Sequence, residues 1–415
     1  MTQESRDIPA ALAPVMRAGA APIPDAAIKE AAGPPAVPTT LAVGRDLRID
    51  MFRGLALVMI FVNHVPGTVY ERLTSRNFGF SDAAEAFVLM SGIAAGLAYS
   101  RGFANGFNWP AVAKVWARAR QLYLVQIVIT VMALAVFAAA ALWFDRAEML
   151  AKNNVAALFE KPLSVIIGIP AMTHQLGYFN ILPLYITLLL VTPALILLGA
   201  KKPWLLLGLS VLLWAVAGHF RLNFPNFPNP GGWFFNPFSW QILFVTGLLA
   251  GMAMKQGRTF FTFNPTLFWA AVGYLVLVLI WARTPPVGQI GWAALNGLRD
   301  LGAPFYLVGF DKTFLSLPRL SHVLALAYVL ASLASVRAFA GTAYAQPLIL
   351  LGRYGLPVFA TGSVLSMVLQ AVKSGTIGNP LSDGVLIAGG LAAQLALAWC
   401  LFKTDEMRGG KKKAG

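Results

Sequence analysis

Four ionisable residues stand in or beside apolar runs, where charge is expensive: Arg53, His64, Asp82 and Glu85. Asp50, at the edge of the first run, joins them. Arg53 and His64 are eleven residues apart in DMFRGLALVMIFVNH. At about 100° per residue, eleven steps end roughly 20° from three full turns, so a helix puts both side chains on one face. They are separated along the axis by about 16 Å. That spacing suits a reaction with two ends. An arginine can hold the phosphates of a donor, while an imidazole further along takes the proton of an acceptor hydroxyl. Blander roles compete: an arginine snorkels to lipid phosphates, and a histidine caps a helix or packs.

The second run opens SDAAEAFVLMSGIAAG. Ser81 is the expected N-cap, and acids in the first turn suit the helix dipole. Glu85 lies three residues after Asp82, on the same face, and an interior carboxylate there needs a partner. Either acid could hydrogen-bond His64, fix its tautomer and raise its basicity. The pair Gly92 and Gly96 reads as close helix packing. Arg118 and Arg353 read first as ordinary cytoplasmic-side cations and second as further contacts for donor phosphates. His174, His219 and His322 read as interfacial or capping residues. Four scattered histidines and a single cysteine, Cys400, make no metal site. Neither a phosphate-cradling glycine loop nor a nucleophile elbow is present.

These residues must be positioned by elements in lipid. The 415-residue chain is 58% hydrophobic and only 12% charged, about half the charge of a soluble domain. Apolar runs of about the length that spans a bilayer recur at 49–65, 82–100, 121–142, 179–199, 203–219, 240–254, 265–282, 319–336, 354–372 and 384–402. The fold class expected is therefore all-α, a polytopic membrane bundle of about ten helices. Segment 288–318 is too polar for a span and too apolar for a free loop, so it is expected to be interfacial or re-entrant. Residues 1–44, rich in Ala and Pro, read as a disordered cytoplasmic tail, and 404–415 as a basic one.

Charge sets the orientation. With the N-terminus inside, the inner loops hold Arg101, Lys114, Arg118, Arg120, Lys201, Lys202, Lys255, Arg258, Arg337 and Arg353 and no acid. Glu71, Asp145, Glu148, Glu160, Asp300, Asp311 and Asp383 fall outside. That asymmetry places both ends in the cytoplasm, Arg53 near the inner surface and His64 near the outer one. The net charge of +15 then reflects topology and attraction to anionic membrane lipid. Nucleic acid is excluded as a partner, since no basic groove or aromatic platform lies among the spans.

The stretch RDLRIDMFRGLALVMIFVNHVPGTVYERLTSRNFGFSDAAEAFVLMSG, with FNILPLYI and LGRYGLPVFATGSVLS further on, resembles the OpgC family of bacterial membrane proteins, which modify osmoregulated periplasmic glucans and are related to the type 3 acyltransferases. The resemblance implies a multi-span transferase of the bacterial inner membrane, residues 45–403 forming its domain. The donor it implies is acyl-CoA, succinyl-CoA in the OpgC-like case, used as substrate with no bound cofactor. The acceptor it implies is a hydroxyl of a periplasmic glucan. Arg53 and His64 match the arginine and histidine of the type 3 pattern, and Asp82 and Glu85 its DAAE element. On this reading His64 is the base, Asp82 or Glu85 orients it, and Arg53, Arg118 and Arg353 bind donor phosphates. The rival from another class is a proton-coupled transporter of a sugar or lipid-linked substrate, in which the same buried charges relay protons. A binding subunit without catalysis is a third reading. The sequence sets no oligomeric state.

Overall fold

The computed structural model describes residues 46–375 and 378–413, so the expected N-terminal tail lies outside the described residues. Sixteen α-helices and no strands are found among them. They are α1 (Leu47–Asn63), α2 (Ala83–Tyr99), α3 (Trp109–Phe144), the short α4 (Ala157–Glu160) and α5 (Pro162–Gly168), α6 (Ile181–Lys201), α7 (Pro203–Phe220) and α8 (Pro237–Lys255). Then follow α9 (Pro265–Arg283), α10 (Pro285–Asp300), α11 (Phe305–Val308), α12 (Leu317–Ser332), α13 (Ala334–Ala340), α14 (Gln346–Arg353), α15 (Gly355–Ser374) and α16 (Pro380–Lys413).

Eight of these helices are long and apolar enough to cross a membrane, and the pair α12–α13, bent by 76°, counts as a ninth. Helix α1, with 17 residues, lies at the short end of a span, so eight or nine spans stand against the ten or so expected from the sequence. The protein is thus an all-α, multi-pass membrane bundle. Proline marks many helix starts: Pro203, Pro237, Pro265 and Pro285 each occupy a first helical position. There the missing N–H costs nothing, because no intrahelical acceptor exists for it.

Several boundaries differ from expectation. Helix α3 begins at Trp109, not near residue 121, and runs 36 residues, about 54 Å, well beyond a bilayer core. Its polar first turns carry Lys114, Arg118 and Arg120 on rigid helix. Helix α16 continues past residue 402 to Lys413. The ambiguous segment 288–318 is no span: α10 is a separate amphipathic helix packed on α9, followed by the single turn α11. Helix α14 was not foreseen at all.

Two glycine seams bring backbones together. Helices α2 and α8 pack along their length, and a Cβ at Gly92 would fall 2.1 Å from the Phe244 carbonyl oxygen. Gly96 faces Leu248 in the same way, and Gly247 and Gly251 of α8 reciprocate against Leu89 and Ile93. The expected packing role of Gly92 and Gly96 is therefore met. Helices α1 and α14 make the second seam: a Cβ at Gly54 would lie 1.9 Å from the Leu348 carbonyl oxygen, and one at Gly352 would lie 1.8 Å from that of Asp50. Small residues are what permit such contact where lipid offers no hydrophobic drive.

Candidate functional site

Helix α1 runs between two cavities. At its N-terminal end, a cavity of about 430 Å³ is lined by Arg53, Arg118 and Arg353, with Tyr99 and Tyr185 beside them. The three arginines come from three elements. Arg53 lies on α1, Arg118 on the polar extension of α3, and Arg353 ends α14. The α1–α14 glycine seam is what brings Arg353 beside Arg53. Arg53 Nη1 lies 3.6 Å from Asp50 Oδ1 and 3.5 Å from the Gly352 carbonyl oxygen. Arg118 Nη1 donates to Gln121 Oε1 at 2.7 Å. The Arg353 guanidinium sits 5.6 Å over the Phe402 ring. No carboxylate lines this cavity among the described residues, so it favours an anion.

At the other end of α1, a cavity of about 740 Å³ holds His64. His64 caps the helix: its N–H reaches the Ile60 and Phe61 carbonyls, and Pro66 cannot continue the spiral. Gln370 Nε2 donates to the His64 carbonyl at 2.7 Å, tying this corner to α15. The imidazole lies 4.6 Å from the Tyr178 ring, centroid to centroid. The wall is rich in amides, Asn63, Asn153, Asn154, Asn180 and Asn226, and in cations, Arg76, Lys312 and Arg319. Phe359, which packs 6.3 Å from Phe87, lines both cavities.

Neither acid hydrogen-bonds the His64 imidazole. Asp82, not Ser81, is the N-cap of α2, accepting from the Ala84 N–H at 2.8 Å. Glu85 closes a capping box by accepting from the Asp82 N–H at 2.9 Å. Asp82 also pairs with Lys312, and with Arg319 at 3.4 Å. Glu85, fully buried, receives Arg319 Nε at 2.7 Å. The cap satisfies only part of each carboxylate, and a buried charge needs a counter-charge. The structure supplies it from residues more than 200 positions further along the chain. Asp82, Lys312 and Arg319 nevertheless share the His64 cavity wall. Sequence reasoning missed Lys312, Arg319, Tyr178 and the amide-rich wall. The buried acids were the available signal, since they require cations, but nothing in spacing ties residue 85 to residue 319.

The other histidines stand apart from this wall. Ser81 Oγ is 2.7 Å from His322 Nδ1. His219 packs on Phe220. His174 is buried in the loop before α6, which holds its imidazole below the usual range. Among the described residues no three His, Cys, Asp or Glu side chains are placed to hold a metal ion.

A family model described as OpgC protein matches residues 45–406, almost all of the helical region. The chain belongs to the OpgC family. Family membership gives the protein a role in glucan modification and extends the resemblance well beyond the opening block and its two short patches. A comparison with curated proteins finds no match.

Proposed function

We propose that this OpgC-family protein is an O-acyltransferase that moves an acyl group, succinyl for preference, from cytoplasmic acyl-CoA to a hydroxyl of a periplasmic glucan. It would work in the bacterial inner membrane. The observation that carries this reading is the pair of cavities toward the two ends of α1, which share Phe359 as a wall residue. A cavity with three guanidiniums and no acid suits the phosphates of a coenzyme A. An amide-rich cavity with an imidazole suits a sugar hydroxyl, because many weak donors and acceptors can match a polyol.

In the reaction, His64 accepts the proton of the acceptor hydroxyl as its oxygen attacks the thioester carbonyl. The C–S bond then breaks, an ester forms, and the departing thiolate takes up the proton. Charge develops on the carbonyl oxygen, and Lys312 and Arg319 on the same wall supply positive potential toward it. Asp82 and Glu85 act one step removed from the chemistry: they hold those two cations in place. The acids thus anchor the wall, and His64 acts as the base.

Sealed vesicles supply the test. Labelled acyl-CoA is given on the cytoplasmic side and glucan on the other. Label appearing on the glucan supports transfer. Glucan that crosses the membrane without gaining label overturns the reading in favour of a transporter.

A further inference from the structure

Beside the outer cavity lies a second cleft, of about 350 Å³, walled by Phe80, Trp281, Trp292 and Phe310. Three side chains, Arg76, Asp82 and Arg319, line both spaces, so the cleft continues the His64 cavity sideways. We propose that this cleft is a second acceptor subsite, holding a glucose ring next to the one that is acylated. The inference rests on the glucan-acceptor reading.

The wall is built rather than incidental. Trp281 ends α9 and its ring lies against Gly291 of α10, where a Cβ would fall 2.1 Å from the ring. Helix α10 can therefore close over the indole only because residue 291 has no side chain. The next residue, Trp292, is 45% exposed and sits 5.0 Å from Phe310 at 65°. Phe80 lies 5.3 Å from Trp281 at 86° and 4.7 Å from Phe310 at 56°. These rings meet edge to face or tilted, and the exposed Trp292 leaves ring surface open to a ligand. An aromatic face carries partial negative charge, and the axial C–H face of a glucose ring is its complement. Ser81, Asp82, Arg76 and Arg319 stand at the rim where sugar hydroxyls would need partners.

Tryptophan at a membrane surface ordinarily anchors the protein to lipid headgroups. Trp292 instead shares its cleft with Arg76, Asp82 and Arg319, polar groups within reach of a sugar's hydroxyls. The segment that carries α10 also explains its own composition: too polar for a span, it supplies the outer lip of the cleft.

The test uses the full chain in lipid nanodiscs and glucan oligosaccharides of increasing length. Binding is read without donor from tryptophan fluorescence, and transfer is read with labelled acyl-CoA. The expected result for Trp292→Ala is a KM for long oligosaccharides raised about five-fold, the worth of one ring contact, with less than about a two-fold change for a disaccharide. Trp292→Phe should restore most of the affinity for long chains. An equal change for long and short acceptors, or none for either, overturns the subsite. So does quenching by added phospholipid in place of glucan. Oligosaccharide binding that depends on length and on Trp292, without any acyl transfer by the unaltered protein, sustains the subsite and overturns the acyltransferase reading instead.

Discussion

Arg319→Ala removes the counter-charge of Glu85 and tests how the outer wall is held. Glu85 is fully buried, and its carboxylate has two kinds of partner: the Asp82 N–H at 2.9 Å and the Arg319 guanidinium, whose Nε lies 2.7 Å away. Without Arg319 the carboxylate keeps one backbone donor and loses its directly bonded counter-charge, with Lys312 left on neighbouring Asp82. Breaking a buried pair from one side costs about 3–5 kcal/mol, because the abandoned charge is left in a poor solvent. Arg319 also stands 3.4 Å from Asp82, which retains Lys312, so that contact adds little to the loss. Glu85→Gln should cost less, since a neutral amide still accepts from the Asp82 N–H. The double change Glu85→Gln with Arg319→Ala should regain part of the Arg319→Ala loss. The assay is thermal unfolding of the purified protein in detergent, run as a double-mutant cycle. A coupling above about 1 kcal/mol is expected between the two positions. An Arg319→Ala protein that melts with the unaltered one, or two losses that simply add, would refute the buried lock.

Two further outcomes concern the route between the cavities. Arg53→Ala is expected to raise the KM for acyl-CoA about ten-fold, the loss of one charge-assisted contact, with a smaller effect on kcat; a fall in kcat alone would count against phosphate binding there. Phe359→Trp enlarges the side chain that walls both cavities, and should cut transfer by about ten-fold or more while coenzyme A binding holds within about two-fold. Transfer at the original rate would mean that the acyl group does not pass Phe359.

Much of this architecture was legible because lipid enforces it. Every span boundary except those of α3, α12 and α16 fell within a few residues of the apolar runs, since backbone groups in hydrocarbon have no partner but their own helix. The small-residue pair Gly92 and Gly96 announced a close packing, though not its partner, α8. Helix α14 was hidden because eight residues are too few to show a period, and its role is to press Gly352 against α1 and deliver Arg353 to Arg53. Spacing suggested one face for Arg53 and His64; the structure places them at two separate cavities, with His64 as the C-cap of α1. The expected contact from Asp82 or Glu85 to His64 was not met, because a local pattern could reveal the α2 cap but not cations more than 200 residues away. The amide wall was equally hidden: four of its five asparagines, Asn153, Asn154, Asn180 and Asn226, come from loops whose paths no hydropathy pattern sets.

His64 is where the account is most exposed, since it assigns the proton of the acceptor to one imidazole at the outer end of α1. The direct measurement compares His64→Ala with the unaltered protein at matched membrane abundance, scoring acyl groups on glucan and coenzyme A binding in parallel. Loss of a general base should lower transfer by about a hundred-fold or more while donor binding at the arginine cavity persists. Glucan acylation that continues undiminished in His64→Ala would contradict the mechanism outright.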